Sequence, residues 1–176
     1  MRNYLARTAR ASLLKGKVKW VPAEQLHVTL VFAGDVDDDV VAELRGAVEA
    51  ARLEPLSFSL AGLGRFPPRG EPRVLWAGLA GDVDPLLRLQ AGLAERAAAA
   101  GVELDKRPFA PHVTLGRVKS SFGAYAVVDE IERLGPTLRD KPFSATALTL
   151  YASELTPAGS VYTPLLRRAI AAPTTD

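Results

Sequence analysis

The stretch His27-Val28-Thr29-Leu30 recurs without change at residues 112–115, and these two copies contain the only histidines in the 176-residue chain. We interpret them as an internal repeat. Each copy opens an apolar, β-branched run that predicts a strand, over residues 27–33 and 112–118. Because residues i and i+2 of a strand point to the same face, each histidine is expected to lie beside its threonine. The valine and leucine of each copy would then point into a core.

Two histidines and two threonines suit general acid–base catalysis at a phosphodiester. A neutral imidazole can take a proton from an attacking water, and a protonated one can give a proton to the leaving oxygen. Both forms of an ordinary histidine are available near neutral pH. Threonine hydroxyls can donate hydrogen bonds to the non-bridging oxygens as charge builds there. The repeat therefore predicts His27 and His112 as the catalytic pair, assisted by Thr29 and Thr114.

The motif also has structural and metal-binding interpretations. A lone histidine in a strand is more often a hydrogen-bonded structural residue, and threonine is common in strands because it packs well there. A zinc site would need further ligands, and the sequence has no HxH or HxxxH pair. It also lacks a GxSxG elbow, a Walker loop and a dinucleotide fingerprint. We therefore expect a two-histidine site with no metal and no cofactor.

Composition narrows the class of protein. Apolar residues make up 48% of the chain, which is enough for a sizeable core and too many for disorder. The absence of cysteine excludes disulfides and thiolate metal sites, and the net charge of +2 is a mild bias toward anionic partners. No apolar run approaches the ~20 residues of a membrane span, and no signal-peptide hydrophobic region is found. We expect a cytoplasmic monomer that does not associate with membranes.

The predicted elements mix helices and hairpins without regular alternation, which favours an α+β fold. Asp37 or Asp38 is the expected N-cap of the second helix, and Gly101 is expected to end the third. No linker is found, so a single domain over residues 1–176 is expected.

Helices are predicted over residues 1–14, 84–100 and 125–134, and a further helix begins in the acidic run 35–39 and ends at residue 52. Strands are predicted over residues 17–21, 27–33, 56–60, 73–79, 112–118, 143–154 and 162–169, with a loop over 62–72 and a turn at 157–159.

The paired His-x-Thr-x motifs resemble the signature of the 2H phosphoesterases, specifically the LigT-like RNA 2′,3′-cyclic phosphodiesterases once named 2′-5′ RNA ligases. The resemblance covers roughly residues 18–165. Members usually begin with a short strand before the first helix, whereas this chain is expected to begin in that helix. Similar flanking segments are WVPAEQL (20–26), FAGDV (32–36), GRFP (64–67), PRVLW (72–76) and FAP (109–111).

The resemblance implies a bilobal α+β fold. Two pseudo-symmetric lobes of antiparallel sheet, flanked by helices, would face a central active-site cleft with one motif on each wall. It also implies a metal-independent enzyme that opens RNA 2′,3′-cyclic phosphate ends to 2′-phosphates and that could have weak, reversible 2′-5′ RNA ligase activity. His27 would be the proton donor and His112 the proton acceptor. RNA with 2′,3′-cyclic ends or small cyclic nucleotides would be the substrates. The alternative is a non-catalytic module that binds nucleotides or RNA ends in the same cleft.

Further residues are candidates for substrate binding. Arginine suits phosphate recognition because its planar guanidinium donates several hydrogen bonds. Phe66 and Tyr151 are candidates for stacking a base, since such stacking tolerates any base. Arg117 is five residues from His112 and would face away from it in a regular strand. The whole set is Arg65, Phe66, Arg73, Arg107, Phe109, Arg117 and Tyr151.

Overall fold

The computed structural model describes residues 1–14, 16–119, 124–138, 142–156 and 159–172. The chain forms two compact units, each assembled from three separate segments. The first unit comprises Met1–Thr29, Phe58–Gly81 and Pro111–Phe143, and the second comprises Leu30–Ser57, Asp82–Ala110 and Ser144–Asp176. Because the segments interleave, no single boundary along the chain separates the units. A single domain over the whole chain stays a prediction.

Helices and antiparallel sheets occur in both units, which confirms the α+β class. No helix in the described part of the chain is long and apolar enough to cross a membrane. The elements are α1 (Arg2–Ala11), β1 (Val18–Trp20), α2 (Asp38–Ala50), β2 (Ser57–Phe66), β3 (Val74–Gly81), α3 (Val83–Ala99), β4 (His112–Val118), α4 (Ala124–Leu134), β5 (Pro142–Ser144), β6 (Ala147–Thr156) and β7 (Gly159–Ala169). Short 3-10 helices lie at Ala23–Gln25 and Gly135–Leu138.

The first unit is built on a five-stranded sheet with the strand order β1-β4-β3-β2-β5. Helices α1 and α4 bury apolar side chains against one face of this sheet, which we call the core face. Leu5 of α1 belongs to a cluster with Ala77 and Val113, and Val127 of α4 packs with Leu75. The opposite face of the sheet, which we call the open face, carries the side chains that alternate with these.

The second unit combines α2 and α3 with the two-stranded β6–β7 ribbon. Its core joins Val48 of α2, Leu93 of α3 and Leu148 of β6. Asp37 is the N-cap of α2, because its carboxylate accepts a hydrogen bond of 2.9 Å from the backbone N–H of Val40, as the sequence predicted.

Several predicted boundaries agree with the structure and several do not. The predicted strand at 112–118 is β4, and the four predicted helices are found within a few residues of their ends. The predicted loop over 62–72 is wrong in its first half, because β2 continues to Phe66. A bulge between Leu60 and Leu63 and a positive φ of 93° at Gly62 interrupt the strand pattern there. The predicted strand at 143–154 is two strands, and part of the turn at 157–159 lies outside the described residues.

The strand predicted over residues 27–33 is also wrong, because the structure assigns no strand there. Apolar patterning alone does not supply a partner strand, and neither sheet among the described residues includes this segment. The apolar side chains are buried nonetheless. Val28 packs against the core of the first unit, while Leu30 packs against that of the second.

Candidate active site

The geometry of the second motif depends on one extra residue in β4. Leu75 pairs with Gly116 and the next residue of β3, Trp76, pairs with Thr114, so Leu115 is a bulge. Strand β3 itself alternates regularly, and side chains directly opposite each other in a pair share a face. Val74, Trp76 and Gly78 therefore share the open face with their partners Arg117, Thr114 and His112.

This register overturns the expectation that Arg117 faces away from His112. The five-residue spacing would separate them in a regular strand, but the bulge at Leu115 shifts the alternation by one residue. Val118 then packs toward the core with Val18, on the side opposite to Arg117. The second motif thus presents an imidazole, a hydroxyl and a guanidinium from one face of one strand.

The imidazole of His112 lies against two aromatic rings. The ring centroid of Phe66 is 5.0 Å away, at an interplanar angle of 79°, and that of Trp76 is 6.1 Å away at 56°. The two aromatic rings also contact each other, with centroids 5.2 Å apart. Edge-to-face contacts of this kind favour a fixed relative orientation. Phe66 thus contacts His112, and its predicted stacking on a base stays a prediction.

Gly64 makes room for this aromatic group. Gly64 pairs with Trp76 across β2 and β3, and a Cβ atom on Gly64 would lie 2.2 Å from two atoms of the indole. Real Cβ atoms essentially never approach so closely, so only glycine lets the indole lie flat over this position. Trp76 was not among the predicted site residues. Trp76 is nevertheless the last residue of the PRVLW segment, which resembles the family, and it lies on a predicted strand.

The imidazole of His27 is held by hydrogen bonds. Its Nδ1 lies 2.6 Å from the carbonyl oxygen of Gln25, and its Nε2 lies 3.1 Å from Oγ1 of Thr29. A carbonyl oxygen can only accept, so Nδ1 carries a proton. Nε2 is therefore the atom that changes between the neutral and the protonated ring, and it lies beside the hydroxyl of Thr29. The expected proximity of histidine and threonine is thus observed in the first motif, and in the second motif the two residues share the open face.

A second cation lies beside Arg117 on the open face. Lys19 of β1 pairs with Arg117 of β4, and both side chains are exposed. Sequence reasoning missed Lys19, because the pairing joins residues almost one hundred positions apart. Among the described residues, no three His, Cys, Asp or Glu side chains are grouped so that they could hold a metal ion.

Two other predicted arginines of the first unit have different positions. Arg65 pairs with Leu75, whose side chain is on the core face, so Arg65 does not share the face of His112. Its Nη1 donates a hydrogen bond of 2.6 Å to the carbonyl oxygen of Gly70. Arg73 is exposed just before β3, and its backbone N–H donates to the carbonyl oxygen of Phe66 at 2.7 Å.

The remaining predicted residues belong to the second unit. Arg107 is engaged by Asp105, with its Nε 3.0 Å from both carboxylate oxygens. This hydrogen-bonded guanidinium lowers the pKa of Asp105 to about 2. Phe109 is half-buried, and Tyr151 is exposed on β6 with its ring edge-on to that of Tyr162, 5.9 Å between centroids.

The two motifs are not divided between the units as expected. Residues 27–29 and 112–114 all belong to the first unit. The reason lies in the packing, since Val28 and Val113 are part of the same apolar cluster. One unit therefore holds both histidines and both threonines.

Comparison with known proteins identifies the family. Residues 4–156 match the model of the 2′-5′ RNA ligase superfamily. The chain belongs to this superfamily. The resemblance noted from the paired motifs is thereby confirmed.

Relatives of known name agree with this assignment. The chain is 32% identical to a protein of Aeropyrum pernix over 148 residues, which are 84% of each chain. It is 33% identical to one of Thermus thermophilus over 178 aligned positions, covering 92% of this chain and 84% of that protein. Both relatives are named RNA 2′,3′-cyclic phosphodiesterase.

Solved structures show the same fold. The crystal structure of TT0787 of Thermus thermophilus superposes with a TM-score of 0.75 at 29% identity, covering 97% of this chain and 92% of that one. Escherichia coli LigT complexed with ATP superposes with a TM-score of 0.72 at 26% identity, covering 96% of this chain and 90% of that one.

Proposed function

We propose that the protein is an RNA 2′,3′-cyclic phosphodiesterase that opens the cyclic phosphate to a 2′-phosphate, with His27 and His112 transferring the protons. The observation that carries this proposal is the shared face of His112, Thr114 and Arg117, in a unit that also holds His27 and Thr29. The activity named for the relatives points to the same reaction.

The reaction requires one proton to be removed and one to be supplied. Water attacks phosphorus, and His112 in its neutral form accepts the proton of that water. The bond between phosphorus and the ribose 3′-oxygen breaks, and His27 in its protonated form donates a proton to that oxygen. The phosphate remains on the 2′-oxygen, and proton exchange with solvent restores both rings. Because Nδ1 of His27 is bound to the carbonyl of Gln25, Nε2 is the atom that donates.

Negative charge that builds on the non-bridging oxygens is stabilised by groups already present. The hydroxyls of Thr29 and Thr114 donate hydrogen bonds, and the guanidinium of Arg117 can donate two in parallel. Lys19, opposite Arg117 in the sheet, adds positive charge to the same face. No metal or cofactor enters any of these steps, so we expect full activity after exhaustive treatment with EDTA.

The aromatic rings support the second histidine. Phe66 and Trp76 contact His112 from the sides and limit rotation of its ring, which keeps the proton-accepting nitrogen in one direction. Such preorganisation matters because small misplacements of a catalytic group reduce the rate strongly. If the 5′-hydroxyl of a second RNA takes the place of water, the same two histidines in the same roles would join it to the cyclic phosphate with loss of the 3′-oxygen, which would give weak 2′-5′ ligation.

The test is hydrolysis of a short oligoribonucleotide with a 2′,3′-cyclic end, in EDTA, with the product identified by chromatography. We expect a 2′-phosphate, and a loss on the order of 10²–10⁴-fold in kcat for His27→Ala and for His112→Ala. Unfolding temperatures of the variants separate lost chemistry from lost structure. A His27→Ala protein with near wild-type turnover would refute the proposal.

Binding of the oligomer without any turnover by the unmodified protein would favour the binding module instead. Size-exclusion chromatography tests the expected monomer.

A further inference from the structure

The β6–β7 ribbon of the second unit has two different faces. Strand β6 alternates regularly, while Leu165 is an extra residue in β7 between the pairs Leu150–Leu166 and Tyr151–Pro164. One face therefore carries Leu148 and Leu150, which pack into the core of the second unit with Leu166. The other face, which we call the tyrosine face, carries the odd-numbered residues of β6 and their partners.

The tyrosine face presents two aromatic rings next to one cation. Tyr151 lies opposite Pro164, Tyr162 lies opposite Ser153, and Arg167 lies opposite Thr149. The rings of Tyr151 and Tyr162 are 5.9 Å apart at an interplanar angle of 67°. Within this edge-to-face pair, 43% of the surface of Tyr151 is exposed, so this ring is accessible for stacking.

Charge on this face has one sign. The residues that β6 and β7 place there include Arg167 and no carboxylate, since Glu154 lies on the other face, opposite Val161. Leu155, also on the tyrosine face, is 84% exposed. Exposed aromatic and apolar side chains in one row indicate an interaction surface. The aromatic rings suit a partner with flat apolar groups, and the neighbouring cation suits a partner with negative charge.

We propose that the tyrosine face binds unpaired bases of the RNA substrate, with Arg167 contacting a phosphate. Open sheets with exposed aromatic side chains are a recurring platform for single-stranded RNA, because any base can stack on a ring while a cation holds the backbone. This inference rests on the proposed function, since it assigns a recognition surface to the same substrate. It adds Tyr162 and Arg167, which sequence reasoning did not select, to Tyr151.

The experiment compares two substrates. One is an eight-nucleotide single-stranded RNA with a 2′,3′-cyclic end, and the other is bis(4-nitrophenyl) phosphate, a diester with no base. Tyr162→Ala is expected to raise KM for the RNA by about 5- to 100-fold, with a much smaller change for the base-free diester. Tyr162→Phe retains the ring and should restore the KM for RNA. Arg167→Gln should reduce the slope of log affinity against log salt by about 0.7.

Val161→Ala is the matched control, because Val161 lies on the same hairpin with 48% of its surface exposed but on the other face. It should leave both substrates unaffected. If Tyr162→Ala folds poorly, Tyr151→Ala is used, since Tyr151 is the more exposed ring. An unchanged KM for RNA, an equal loss with both substrates, or a dimer of the unmodified protein that Tyr162→Ala dissociates would overturn the inference.

Failure of the proposed function would be recognised separately. If the unmodified protein hydrolyses neither substrate, fluorescence anisotropy of a labelled RNA octamer with the same variants decides the inference. Weaker binding by Tyr162→Ala but not by Val161→Ala would support the tyrosine face, and equal binding by both would overturn it.

Discussion

The two copies of His-Val-Thr-Leu are identical in sequence and different in structure. The copy at 112–115 lies in β4, where residues 112–114 pair with β3, and its valine and leucine are buried in one core. The copy at 27–30 forms no strand, and the division between the units falls after its threonine. The repeated residues therefore determine which chemical groups are present, while the surrounding chain determines the backbone that carries them.

Each histidine has contacts that orient its ring. The ring of His112 contacts Phe66 and Trp76. The ring of His27 is hydrogen-bonded to the carbonyl of Gln25 through Nδ1 and to the hydroxyl of Thr29 through Nε2. The carbonyl of Gln25 fixes a proton on Nδ1 of His27, so Nε2 is the atom that exchanges the second proton.

The largest expected difference between the copies is in stability. Leu115 is 5% exposed in the core of the first unit, whereas Leu30 is half-buried. Leu115→Ala should lower the free energy of unfolding by about 2–5 kcal/mol, and Leu30→Ala by clearly less. Urea unfolding followed by circular dichroism measures both. Equal losses would mean that the two copies are supported alike and would remove the basis of the comparison.

A smaller difference between the two copies is expected in the loss of kcat/KM when each threonine is replaced. Thr29→Val and Thr114→Val keep the side-chain shape and delete one hydroxyl each. Each should cost about 1.5–3 kcal/mol of transition-state stabilisation, as expected for a hydrogen bond to a charged group. Thr29→Val should cost more, because it also deletes the contact with Nε2 of His27. The measurement is kcat/KM for a 2′,3′-cyclic nucleotide, and variants as active as the wild type would exclude a role for the hydroxyls.

The smallest effect is expected from adding a methyl group next to Trp76, which contacts the second histidine. The free energy of unfolding should fall by about 1–3 kcal/mol. Gly64→Ala would push the indole of Trp76 away from its position, while a Cβ at Gly92 of α3, the control position, would meet no atom within 4 Å. Because the chain has two histidines, proton NMR resolves both imidazoles. Gly64→Ala should move the resonances of His112 and leave those of His27 unchanged. If the resonances of both histidines moved, or those of neither, the result would contradict the claim that Trp76 orients His112.

Local features of the fold were predictable from sequence, and pairings across the sheet were not. The cap of α2 depends on Asp37 and its neighbours alone, and β4 contains three β-branched residues, so both were predicted correctly. The bulge at Leu115 arises from the register with β3, which alternation within one strand cannot reveal. For the same reason the positions of Arg117 and Lys19 on the face of His112 required the structure. The prediction of a strand over residues 27–33 was wrong because a pattern of apolar residues does not show which strand would pair with it.

The central claim is that identical motifs supply opposite halves of one acid–base reaction. An activated aryl diester tests it most directly, because its leaving group departs without a proton. With this substrate His27→Ala should recover much of the rate that it loses on a ribose 2′,3′-cyclic phosphate, and His112→Ala should not. Equal recovery by both variants, or recovery by His112→Ala alone, would contradict the assignment of the donor and the acceptor.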